Sequence, residues 1–150
     1  MHRDRRQTGF SLIELLMVVA IIGIIAAIAI PNLLAARKAT NEASAINSMR
    51  TIWSAQTVYR KTLTNDTTYA PNLTTLGSAA GARILDVVLG GSDTPTKSGY
   101  DFAMTGGTGT FSATADPKTG LGDRHFFVDE SAVIRYNHTA TATETDRAIQ

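Results

Sequence analysis

The sequence predicts an α+β fold, a long N-terminal α-helix packed on a small antiparallel sheet of about four strands. Three observations predict it. An apolar run, Leu15–Ile30, follows a short basic N-terminus. Apolar residues then continue at three- and four-residue steps, the mark of an amphipathic helix. From Ser98 onward the apolar period drops to two, as in strands.

The basic start is Arg3, Arg5 and Arg6 against Asp4, about +2 for residues 1–9. The whole chain is formally +1, so the remainder is near −1. That balance does not suggest a nucleic-acid binder, which would carry a basic patch or stripe. The arginines instead hold the N-terminus on the cytoplasmic side of a membrane. Everything after the apolar run then lies across it. Cysteine is absent, so no disulfide framework supports the exported part.

Residues 10–30 number 21, about 32 Å as a helix at ~1.5 Å per residue. A bilayer core is ~30 Å thick. The segment reads as a plain anchor, or as a secretory signal peptide with Ala27-Ile28-Ala29 as its cleavage signal. Glu14 fits neither, because a carboxylate within an apolar membrane segment costs ~3 kcal/mol and is a functional hypothesis by default.

Pro31 would normally end or bend a helix, at ~3 kcal/mol in an interior position. Helix-forming residues nevertheless run on from Asn32 to Thr62. Ala39, Ala43, Ile46, Met49 and Trp53 form the expected core stripe, with Arg37, Glu42, Asn47 and Arg50 largely off it. One long helix is expected, with a kink or a locally melted turn near Gly23–Pro31. Asn65-Asp66 and Ala70-Pro71-Asn72 break it. A short helix is expected near Leu73–Gly77 or Ala82–Leu89, with turns at Gly77, Gly81 and Gly90-Gly91.

Tyr100, Phe102 and Met104 then alternate with polar or small residues, as do Phe111, Ala113 and Ala115. Gly106-Gly107-Thr108-Gly109 joins these runs as a hairpin, its glycines suited to positive φ. His125–Val128 and Val133–Tyr136 complete a four-stranded meander. The tail from Asn137 is rich in Thr and Ala without apolar periodicity, and reads as a mobile end. The chain thus divides into residues 1–9, a leader; 10–31, a membrane or filament-core helix; 32–62, its amphipathic half; 63–137, an α+β head; and 138–150, a flexible tail.

The stretch from Gly9 to Met49, GFSLIELLMVVAIIGIIAAIAIPNLLAARKATNEASAINSM, resembles the N-terminus of type IV pilins and type II secretion pseudopilins. The glycine, phenylalanine, glutamate, apolar run and proline all fall in register, over about a third of the chain. The resemblance implies cleavage between Gly9 and Phe10 by a prepilin peptidase, then N-methylation of Phe10. It implies that Glu14 meets the new α-amino group of Phe10 on a neighbouring copy, and that Pro31 bends the helix. The implied partners are further copies of the chain, the peptidase, the cytoplasmic membrane, and an inner-membrane assembly platform with its ATPase motor. The implied product is a surface filament or, in the alternative, a periplasmic pseudopilus. A soluble exported binding protein is a third reading, tied to the signal peptide.

No enzyme is expected. His2, His125 and His138 do not form a ligand-spaced cluster, and no nucleophile, zincin or P-loop pattern occurs. Many type IV pilins close a C-terminal loop with a disulfide, and this cysteine-free chain departs from them. Major pseudopilins bind calcium in a C-terminal loop. The segment Asp116–Asp123 is glycine-bearing with a carboxylate at each end, but it reads first as a solvated turn, with calcium at Asp116 and Asp123 the alternative.

Overall fold

The computed structural model describes residues 9–78 and 83–149. The leader before Gly9, the turn expected at Gly81 and the expected helix start at Ala82 lie outside them. The chain forms two compact units, Met1–Ala36 and Arg37–Gln150. Helix α1 spans Leu12–Leu63, with Gly23 and Pro31 inside it.

In the second unit, α1 is followed by α2 (Leu73–Gly77), α3 (Val87–Gly90) and six strands. These are β1 (Thr96–Lys97), β2 (Tyr100–Gly106), β3 (Phe111–Pro117), β4 (His125–Asp129), β5 (Arg135–Asn137) and β6 (Arg147–Ala148). They form one antiparallel meander in sequence order. The sheet therefore has six strands rather than about four. The two additions, β1 and β6, are two residues each, too short to show a period of two. The last lies in the tail, where Ala142 is also buried and the Ile149 N–H donates to the Ile134 carbonyl at 2.8 Å.

Alternation along β2, β3 and β4 turns Tyr100, Phe102, Phe111, Ala115, Phe126 and Val128 inward. Ala45, Met49, Ile52 and Ala55 of α1 join the same core, as do Leu73, Leu76, Leu85 and Leu89 from α2, α3 and their connection. The buried stripe of α1 is rotated from the expected one. Met49 is fully buried, but Trp53 and Ile46 are only half-buried, while Ala39 and Ala43 are exposed. Glu42 takes an inward position instead, for a reason given by its partners below.

Two glycine sites set the head's shape by close approach. A Cβ on Gly77 would lie 2.3 Å from the Gly90 carbonyl oxygen, where α2 and α3 meet. A Cβ on Gly106 would lie 2.1 Å from the Ala70 carbonyl oxygen. Of the glycines in the β2–β3 turn, only Gly109 takes positive φ, at 79°. The turn is stitched to the chain after α1, with Tyr69 N–H on the Gly107 carbonyl at 3.0 Å and Gly106 N–H on that of Pro71 at 3.2 Å. Gln56, fully buried, ties the same segment to α1. It donates to the Ala70 carbonyl at 2.9 Å and accepts from the Ala70 N–H at 2.8 Å.

Candidate functional site

Gly9 and Phe10 precede α1 and are exposed, Phe10 by 80%. Nothing lies within 4 Å of a Cβ built on Gly9. Among the described residues, nothing covers either Gly9 or Phe10. Ser11 is the residue before the helix, and its carbonyl accepts from Leu15 N–H at 3.2 Å. Glu14 occupies the third helical position, and its Oε2 accepts from the Ser11 N–H at 3.1 Å. This is the reach-back half of a capping box, which satisfies one of the helix's orphan donors. The negative charge also lies against the positive end of the helix dipole. The capping role was missed in reading the sequence, although Ser11-x-x-Glu14 is its signature.

Behind this cap the helix is apolar on every side. Leu12, Ile13, Ile24 and Ile28 are each about two-thirds exposed or more. α1 is long and apolar enough to cross a membrane, and none of its most apolar stretch is buried within the chain. Fully burying such side chains is worth ~1.5–3 kcal/mol each. A surface this large and continuous is an interaction surface for lipid or protein. Nothing lies within 4 Å of a Cβ built on Gly23, leaving that face open as well.

In the second unit the structure separates the two loop carboxylates. Asp116 meets Nδ1 of His125 at 2.5 Å, while Asp123 pairs with the Lys38 ammonium at 2.6 Å. Among the described residues, no three His, Asp or Glu side chains gather so as to hold a metal ion. The loop between β3 and β4 is instead clamped to α1. Asn41 donates to the Leu121 carbonyl at 2.9 Å. Glu42 Oε1 accepts from the Asp123 N–H at 3.0 Å, and Oε2 receives both Nε and Nη2 of Arg124 at 2.7 Å. Lys38, Asn41 and Glu42 are spaced to share one helix face. This explains why a carboxylate displaces alanine from the inward stripe. Arg124 also stacks beside the Phe126 and Tyr136 rings. The Tyr100 hydroxyl donates to the Arg124 carbonyl at 2.9 Å, and burial, then the Glu42 charge, pushes its pKa well up. His138 lies edge-on to Tyr136, with its Nδ1 3.3 Å from the Asp123 carbonyl oxygen.

Residues 4–30 match the family model described as the prokaryotic N-terminal methylation motif. The chain is 66% identical over 38 residues to the type IV wide pilus major component PilA4 of Thermus thermophilus, covering 25% of this chain and 29% of that one. It is 47% identical over 51 residues to the type IV major pilin protein PilA of Myxococcus xanthus, covering 34% and 23%. It is 35% identical over 60 residues to type II secretion system core protein G of Vibrio cholerae, covering 40% and 41%. The matches thus span less than half the length of each of these relatives. The family-model match includes Gly9, Phe10, Glu14 and the apolar stretch described above.

Proposed function

We propose that the chain is a structural subunit of a type IV pilus or pilus-like filament, cleaved between Gly9 and Phe10, N-methylated on Phe10, and polymerised through its N-terminal helix. The observation that carries this is Glu14, an exposed carboxylate at the head of α1, whose most apolar stretch is unburied, five residues after Gly9. The precursor is anchored in the cytoplasmic membrane with its head outside. A peptidase, an assembly platform and an ATPase motor act on it. No catalytic step is assigned to the chain itself.

The capping geometry supports a two-stage role for Glu14. In the precursor one carboxylate oxygen is held by the Ser11 N–H, which lowers the cost of carrying the charge at the end of an apolar helix. Cleavage creates the cationic α-amino group of Phe10. The carboxylate then pairs with that group on an adjacent copy, in a low-dielectric bundle where an unpaired charge would cost several kcal/mol. Exchange of lipid for protein around the apolar helix gains little hydrophobic energy, so packing, this pair and the motor drive extraction.

Mass spectrometry of the mature N-terminus tests the reading. N-methylated Phe10 is expected; a chain starting after Ala29 would overturn it. Glu14→Ala is expected to insert in the membrane normally yet lose filament assembly, and normal fibres from that variant would refute the pairing role. A pseudopilin is the second reading, supported by the match to core protein G. Surface fibres built of this chain separate the two.

A further inference from the structure

Resting on the filament reading, two unlike surfaces of the head remain to be accounted for. The first is the tip of α3. Val87 is 88% exposed and Val88 54%, while Leu85 and Leu89 on either side are buried. The tip is held in place, because Asp86 Oδ1 accepts from both the Val88 and Leu89 N–H groups at 2.9 Å and Asp86 Oδ2 pairs with Lys97 at 3.1 Å. Arg83, just before it, is exposed, and its guanidinium has no hydrogen-bond or ion-pair partner among the described residues. An apolar knob with a free cation beside it is thus presented on a stiff support.

The second surface is a hollow of about 500 Å³ on the solvent side of the sheet. Phe127, on the face away from the core, contributes its aromatic wall, and Asp129, Glu130 and Glu144 its charge. Among the described residues, no lysine or arginine lines it. Glu130 accepts only from the Phe111 N–H, at 3.3 Å, and Glu144 has no partner among the described residues. An apolar wall with a negative rim fits an apolar knob bearing a positive charge.

We infer that the α3 tip of one copy seats in this hollow on the next copy along the filament. Position supports the pairing. α3 abuts β1, which pairs with the first two residues of β2. The hollow lies at the other end of β2, at Thr105 and Gly106, and extends across β4 to Glu144 before β6. Knob and hollow therefore sit at opposite corners of one sheet and cannot meet within a chain. They are also different surfaces, so their contact is head-to-tail. Head-to-tail contacts propagate into helical filaments rather than closing into two-fold dimers. Subunits that share one N-terminal bundle all point the same way, and a contact of this kind is what parallel copies require.

The absence of cysteine allows a direct test in the full chain, expressed in its own assembly background. Val87→Cys combined with Thr110→Cys, at the rim of the hollow, is treated with a short bis-maleimide on intact filaments. A ladder of covalent oligomers is expected from the double variant and from neither single one. Arg83→Glu and Glu144→Arg are each expected to lower filament yield severalfold, and their combination to restore it. Filaments that form normally with either single charge reversal, or a double-cysteine variant that gives no ladder, would overturn this contact and leave the filament reading standing. If the unsubstituted chain builds no filament, that reading falls and the contact falls with it.

Discussion

Replacing Glu42 by alanine tests whether the clamp between α1 and the β3–β4 loop stabilises the head. Glu42 is 8% exposed, accepts hydrogen bonds from the Asp123 N–H and Arg124 Nε, and has Arg124 Nη2 2.7 Å from its Oε2. Removing one partner of a buried ion pair costs ~3–5 kcal/mol. The Arg124 side chain is 32% exposed, and two aromatic rings flank it, so water and those rings recover part of the loss. The orphaned Asp123 N–H adds about 1 kcal/mol. The expected cost is about 3 kcal/mol, or roughly 10 °C in Tm for a head of this size. Urea melts of the full chain in detergent micelles, followed by the fluorescence of Trp53, measure it. Trp53 is the single tryptophan and lies half-buried on α1. Glu42→Gln keeps an acceptor for Asp123 and is expected to fall between wild type and Glu42→Ala. Arg124→Leu in the Glu42→Ala background removes the unpaired charge and is expected to recover stability. A loss below about 1 kcal/mol, the value of an exposed pair, would refute the clamp.

Gln56→Ala strands the N–H and carbonyl of Ala70 in the core and is expected to cost about 2–3 kcal/mol by the same melt. Gly106→Ala forces a methyl against the Ala70 carbonyl and is expected to destabilise by at least ~1–3 kcal/mol, separating the β2–β3 turn from the segment after α1. The pKa of Asp86 is lowered, first by the Leu89 N–H and further by Lys97. A carboxylate depressed in the folded state stabilises above its unfolded value and loses that contribution as pH falls through the folded one. Acid melts below pH ~4 should therefore be flatter for Asp86→Asn than for wild type. Equal slopes would remove Asp86 from the acid response.

The N-terminal segment was the most legible part of the chain. Its message is local, because Gly9, Phe10, Glu14 and the apolar run lie within 22 residues and need no distant partner to be read. The hairpin of β2 and β3 and the strand β4 were legible for a similar reason, since alternation over five to seven residues leaves a clear period. The failures have one common source. Glu42 looked like a solvent-facing residue until Arg124, 82 positions away, turned it inward. With Glu42 and Ala45 facing inward, Ala39 and Ala43 faced out and Trp53 was left on the flank. Asp116 and Asp123, read first as the ends of a solvated turn, are paired with His125 and Lys38, partners that the loop's own sequence does not display.

By itself, then, the sequence determined the apolar helix, the carboxylate near its start and the alternating strands, because each depends on residues close along the chain. The tertiary structure decided which face of α1 is buried and that two-residue strands extend the sheet on both edges. It also decided that a knob and an acidic hollow occupy opposite corners of the head. Those features arise from side chains and backbone groups far apart in sequence, whose pairing energies appear only when the fold brings them within a few ångströms.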